Sequence, residues 1–300
     1  MRNVIIPTLN AALDWPQFSS ALLSCVNPHE VLIIDSSSTD GTAELARKAG
    51  FRVCSISRSE FNHGKTRQFG AELADDAEVI VYLTQDAVLA NPNSLHQLLS
   101  AFDDPKVAAA YGRQLPRPGA TSIERHARLF NYGRESNIRT FKSREQFGFK
   151  AIFISNSFAA YRREALMEVG GFPPHVIFGE DTVTAAKLLQ AGWKIAYVAE
   201  AEAYHSHSYT WTQEFKRYFD IGVLHSREQW LLDEFGRASG EGKRFVLSEL
   251  KYLWPKHMFA IPSALVRTGL KLVGYRLGRM EQKLSLEWKR RLSMHRGFWK

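Results

Sequence analysis

Five short stretches hold side chains with catalytic or ligand-binding potential. Asp86 follows the apolar run "VIVYL" (79–83) in "TQDA", so a single carboxylate is delivered to a strand end. There it is a solvated turn, a cap for the segment starting near Asn93, or an oxygen ligand for a divalent cation. Asp35 closes "EVLIID" (30–35) and could accept from a nucleobase N–H or a ribose hydroxyl, while Thr39 or Asp40 caps the helix beyond. Lys65 and Arg67 lie in "SEFNHGKTRQFG" (59–70), where a helix begins near Gly64. Its first N–H groups and two cations suit a diphosphate, or simply make a basic solvated helix start. Gly64-Lys65-Thr66 is not a P-loop, because the glycine needed five residues earlier is Ser59. Glu180 and Asp181 open a helix in "GEDTVTAAKLL" (179–189). Acids there complement the helix dipole in any case. Neighbours on a helix point about 100° apart, so one of the two can face a cleft as a general base. His205 and His207, in "AEAYHSHSYTW" (201–211), share a face if the segment is extended and could reach one ion.

The surrounding elements are those that would bring these groups together. Apolar runs at 3–6, 30–35, 51–56 and 78–83 alternate with helical segments at about 14–25, 41–49 and 65–74. Such alternation predicts βαβ units and a parallel sheet. Ligands of these sheets bind outside the carboxyl ends of the strands, which is where Asp35 and Asp86 fall. Residues 107–205 read as mixed α/β, with "GGF" at 170–172 as a turn. Beyond Thr210 the pattern is helical. The expected organisation is a catalytic domain over 1–210 and a helical extension over 211–300.

Cys25 and Cys54 form no CxxC pair, which argues against a disulfide framework or structural zinc site and suits a reducing compartment. The chain opens without a signal-peptide pattern, and no apolar run reaches the roughly 18 residues of a membrane span. A cytoplasmic protein is expected. The net charge of +8 is uneven: residues 243–300 hold 14 Lys/Arg and 3 Asp/Glu. Such a tail attracts a polyanion. Val266, Leu270, Val273, Leu277 and Met280 form a helical stripe beside Arg267, Lys271, Arg276, Arg279 and Lys283. That helix would pack on the catalytic domain, or lie on an anionic membrane.

Taken in order, these motifs resemble those of the family 2 glycosyltransferases, which have the GT-A fold. The family's "IPTxN" is present as Ile6 to Asn10, and its "DDGSTDGT" as Asp35 to Thr42 with Ser36 and Ser37 substituted. "ArNxG" corresponds to Thr66–Gly70, "GGFxE" to Gly170–Pro174, and "ED" to Glu180-Asp181. The chain is most similar to the bacterial rhamnosyltransferases of that family, through "FNHGxTRNxG", "TQDA", "HSHxYT" and "RYFDIGV". Gln68 stands for their usual Asn, and Thr84 for the first acid of the common DxD.

The resemblance implies a Rossmann-like, mostly parallel central sheet and an inverting transfer from a nucleotide sugar, dTDP-L-rhamnose, to a saccharide hydroxyl. It implies Asp181, or Glu180 as second choice, as the base. Pro7, Thr8, Asn10, Asp35, Lys65, Arg67, Gln85 and Asp86 would bind the donor, and Asn156 and Ser157 the acceptor. Mg²⁺ or Mn²⁺ would be held by Asp86 with His205 or His207. The acceptor would be carried on a polyprenyl diphosphate during O-antigen or similar polysaccharide synthesis, with the protein peripheral on the inner face of the cytoplasmic membrane. A metal-dependent nucleotidyltransferase would not need the "ED" and HxH pair in this order. A nucleic-acid-binding protein would use the tail through phosphate contacts, but would leave the strand-end motifs idle. No nucleic-acid partner is therefore expected.

Overall fold

The computed structural model describes residues 2–236 and 240–300. Nine strands form one sheet: β1 (Arg2–Thr8), β2 (Val31–Asp35), β3 (Arg52–Ser55), β4 (Val79–Leu83), β5 (Val88–Leu89), β6 (Val107–Leu115), β7 (Asn137–Arg139), β8 (Phe158–Arg162) and β9 (Lys194–Tyr204). Their order is β3-β2-β1-β4-β8-β6-β9-β5, with β7 pairing with β9. β2 and β4 are buried along their whole length. Both faces of these strands are covered, which is why they read as unbroken apolar runs and not as alternation.

The first half is parallel, as expected, with Thr8 paired to Asp35 and Asp35 to Ser55. The second half is mixed. β8 runs antiparallel to both β4 and β6, and β6 and β9 are parallel to each other. This reversal matters for the site. Phe158, at the start of β8, pairs with Leu83 at the end of β4, so residues 155–157 arrive at the edge where β4 releases Asp86. Leu115 pairs with Tyr204, which brings the ends of β6 and β9 to that edge as well.

Beyond β9 the chain is helical, with helices Trp211–Arg227, Gln229–Phe235, Glu241–Leu253, Ile261–Arg279 and Leu286–Leu292. The 4-3 stripe read from the sequence does not form the packing face of Ile261–Arg279. Its buried positions are Ala264, Gly274 and Gly278, while Val266, Val273 and Met280 are exposed. Close approach explains the difference: a Cβ on Gly278 would lie 2.0 Å from Phe219 O, and one on Gly274 would lie 2.4 Å from Phe215 O. The seam with helix Trp211–Arg227 is therefore backbone against backbone, and large apolar side chains are excluded from it. Gly278→Ala should force the helices apart and cost about 1–3 kcal/mol, read as a lowered Tm.

Candidate active site

Asp181, His205 and His207 line one cleft of about 660 Å³ between the sheet edge and the C-terminal helices. A separate, more open depression of about 860 Å³ lies among Arg290, Arg291, Arg296 and Lys300 and holds none of the candidate groups.

The acid pair opens the helix Glu180–Gln190, after Gly179 in the left-handed conformation at φ 78°. Both residues line the cleft, and Asn156 touches both carboxylates. Glu180 is buried and accepts from Arg67 Nη1 at 2.7 Å and Asn156 Nδ2 at 3.1 Å. Burial opposes its ionisation, but Arg67 and then His63 hold it below the usual carboxylate range. Asp181 is half-buried and opens on the cleft. Its Oδ2 accepts from the Asn156 N–H at 3.2 Å and its Oδ1 from the Thr182 N–H at 2.7 Å. Burial, and then the Glu180 charge, push it up to about 6.

This geometry gives two expected ligand contacts other work. Arg67 lines the cleft but is buried, with its Nη1 engaged by Glu180 at 2.7 Å. A lone guanidinium there would be an uncompensated buried charge, and breaking such a pair costs about 3–5 kcal/mol. Lys65, two residues earlier and about 200° round the helix, is exposed. Asn156 is likewise buried: its side chain bridges Glu180 and the Tyr161 hydroxyl, which donates to Oδ1 at 2.8 Å. It orients both acids, while Ser157 lines the cleft.

Asp86 lies with its Oδ2 3.4 Å from His205 Nε2 and 3.7 Å from His207 Nδ1. His205 Nδ1 is 2.8 Å from Gln114 Oε1, which also accepts from Arg128. Oε1 has no proton to give, so Nδ1 carries the hydrogen and Nε2 is a lone pair turned towards Asp86. Burial holds both imidazoles below their ordinary range, His207 at about 4. A neutral ring nitrogen and a carboxylate therefore face each other as two acceptors, an arrangement that a cation between them would resolve. The three ligand atoms lie within 4.8 Å of one another, so the residues fit a divalent cation. Gln114→Leu frees the tautomer and should weaken Mn²⁺ binding about 10–100-fold, read by titrating Mn²⁺ against Tm.

The β1 and β2 loops form an adjoining hydrogen-bonded buckle. Asp35 is buried and accepts from the Thr8 hydroxyl at 3.2 Å, the Ser38 N–H at 2.9 Å and the Ser38 hydroxyl. Asn10 is exposed at φ 51°, with its Oδ1 accepting from the Thr39 N–H at 2.9 Å. Gln85 spends both ends of its amide on the Leu9 backbone, at 2.7 and 3.0 Å. It fastens this buckle, which includes Pro7 and Thr8 at the end of β1, to the Asp86 loop. Asp35 itself does not line the 660 Å³ cleft.

Several residues in and around the cleft carry no role in the sequence reading. Gln114 and Arg128 belong to no motif. Arg117 donates to the Asp86 carbonyl at 2.7 Å. His295, from the C-terminal turn, lines the cleft with His63; their rings are 5.0 Å apart, and His295 stacks on Phe178 at 5.9 Å. Asp220 is buried and holds that turn by accepting from the Met294 N–H at 2.9 Å. Gln68, which replaces the common Asn, accepts from the Phe172 N–H at 3.1 Å and so anchors the Gly170–Phe172 turn.

Residues 3–170 match the sequence profile described as Glycosyl transferase family 2. Over 298 residues the chain is 47% identical to the O-antigen chain rhamnosyltransferase WbaN of Salmonella anatum, covering 99% of this chain and 95% of that one. It is 45% identical, with the same coverage, to the O-antigen chain rhamnosyltransferase RfbN of Salmonella typhimurium. The fold is similar to the mannosyltransferase PcManGT of Pyrobaculum calidifontis, solved with GDP-Man and Mn²⁺, at TM-score 0.57 and 19% identity over 97% of this chain and 83% of that one. It is also similar to residues 1–349 of S. aureus TarS, at TM-score 0.53 and 16% identity over 94% and 91%. With this profile over its strand-end motifs and these relatives over nearly its whole length, the chain belongs to glycosyl transferase family 2.

Proposed function

We propose that the protein transfers L-rhamnose from dTDP-L-rhamnose to a hydroxyl of a saccharide acceptor, with inversion at the anomeric carbon, in the assembly of an O-antigen or similar polysaccharide. One observation carries the reaction type: a half-buried carboxylate, Asp181, shares a cleft with His205 and His207, the two imidazoles beside Asp86. The sugar is supported by the 47% and 45% identity to two proteins named as rhamnosyltransferases.

Asp181 takes the proton of the acceptor hydroxyl as its oxygen attacks the anomeric carbon and the nucleoside diphosphate departs. Its two N–H contacts fix the carboxylate plane, and a value of about 6 leaves it ionised yet basic at neutral pH. Arg67 keeps Glu180 ionised behind it, and that charge raises the basicity of Asp181. Lys65 and the first turn of helix His63–Leu73 meet the charge growing on the leaving diphosphate. When bound, a divalent cation held by Asp86, His205 and His207 supplies Lewis-acid stabilisation of that same charge. Two imidazoles beside one carboxylate favour Mn²⁺ over Mg²⁺, which prefers all-oxygen ligands. The Pro7–Asn10 and Asp35–Thr39 buckle holds the base and ribose. The neutral rings of His63, His295 and Phe178, with Ser157, offer the uncharged surface a sugar needs. The acceptor is carried on a lipid diphosphate at the inner face of the cytoplasmic membrane.

Thermal shifts with dTDP, UDP and GDP, with and without Mn²⁺, test the donor class. dTDP with Mn²⁺ should give the largest stabilisation, and dTDP-L-rhamnose should be the sugar nucleotide hydrolysed fastest in a panel. Equal response to all three nucleotides, or stabilisation by oligonucleotides alone, defeats the proposal.

A further inference from the structure

The outward face of helix Ile261–Arg279 is apolar along its length. Leu265, Val266, Leu272 and Val273 are 51%, 42%, 50% and 50% exposed, and Met280, just past the end, is 48% exposed. Seven-residue spacing places 265 with 272, and 266 with 273 and 280, in two adjacent rows on one face. The strip continues into the preceding loop, where Trp254 is 61%, Met258 42% and Phe259 95% exposed. The opposite face is the glycine seam against helix Trp211–Arg227. Single exposed apolar residues are ordinary, but a contiguous row of them marks an interaction surface.

Its charge selects the occupant. Lys256 lies between Trp254 and Met258, Arg276 within the strip and Lys283 beyond Met280, all exposed. Of the three acids in residues 243–300, Glu249 and Glu281 are buried and Glu287 alone is exposed. A second copy of the chain would set these cations against their own kind. A nucleic acid would leave Phe259 and Leu265 in water. An anionic bilayer satisfies both features, and no helix among the described residues is long and apolar enough to cross a membrane.

We propose that this face lies in the headgroup region of an anionic bilayer, with Phe259 and the 265–273 rows at the acyl boundary and Lys256, Arg276 and Lys283 on lipid phosphates. The same helix turns Arg267 and Lys271 into the cleft from its inward face, so docking sets the cleft one helix diameter, roughly 10 Å, from the lipid surface. Only the purpose of this placement, reaching a lipid-carried acceptor, rests on the proposed transfer reaction.

Flotation of the full chain with vesicles of phosphatidylcholine and phosphatidylglycerol, against phosphatidylcholine alone, tests it. The wild type should float with the anionic vesicles only. The triple variants Phe259→Ser/Leu265→Ser/Val273→Ser and Lys256→Glu/Arg276→Glu/Lys283→Glu should each lose about ten-fold or more of the bound fraction. Leu13→Ser, at a residue 93% exposed on the loop after β1, should bind normally. A serine variant that still floats, a wild type that does not, or a wild-type dimer that the serine variant dissolves would each overturn the assignment. Thermal shift with dTDP and Mn²⁺ on the same proteins separates the two ideas. Flotation without any nucleotide response leaves the membrane face standing and defeats the transfer reaction.

Discussion

Asp181→Asn is expected to lower kcat by about 10²–10⁴-fold, the range for loss of a positioned general base, while dTDP affinity stays near that of the wild type. The amide keeps one acceptor oxygen, so one of the Asn156 and Thr182 N–H groups, which bond to different carboxylate oxygens, keeps its contact and the other loses it. In the wild type, activity should fall as pH drops through about 6, where Asp181 takes up its proton. Stability should move the other way. A carboxyl that keeps its proton up to about 6 in the fold, against an ordinary 3.8, favours the fold at low pH and costs stability as pH rises between those values. Above that window the wild type carries the cost and the Asn variant does not. The wild-type Tm should therefore fall relative to that of the variant as pH rises from 4 to 7.5, on top of a pH-independent cost from the N–H contact the amide loses. A variant with near-normal turnover removes Asp181 from the role. A Tm difference between the two proteins that does not change with pH contradicts the electrostatic account of the Asp181 environment.

Asp86→Ala is expected to abolish the extra stabilisation that Mn²⁺ gives to dTDP binding and to lower kcat/KM by at least about 10². The residue is the anionic member of a cluster whose other two members are neutral. Without it, two imidazoles remain, which are poor ligands for a hard cation competing with water. In the wild type, Mn²⁺ should activate more strongly than Mg²⁺. His207→Ala should cost less than His205→Ala, because Gln114 fixes His205 alone among the two. An Asp86→Ala protein that titrates dTDP and Mn²⁺ like its parent would defeat the metal assignment.

Some of this is written locally in the chain. Unbroken apolar runs place Asp35 and Asp86 at carboxyl ends of parallel strands, and parallel pairing brings those ends to one edge whatever else the fold does. Alternation puts His205 and His207 on one face, and the helix start sets Glu180 and Asp181 together at one cap. Each of these follows from backbone geometry within a few residues. The roles that depend on distant contacts could not be read in the same way. Arg67 meets Glu180 across 113 positions, and Gln114 meets His205 across 91. Those contacts exist because β8 reverses direction between β4 and β6 and gathers their ends. They decide which acid is neutralised and which stays basic, and which imidazole nitrogen offers its lone pair. A basic motif residue became the buried partner of a carboxylate, and an apolar stripe gave way to a glycine seam. Both outcomes turn on ångström-scale burial, and that is fixed by which surfaces meet after the sheet has closed.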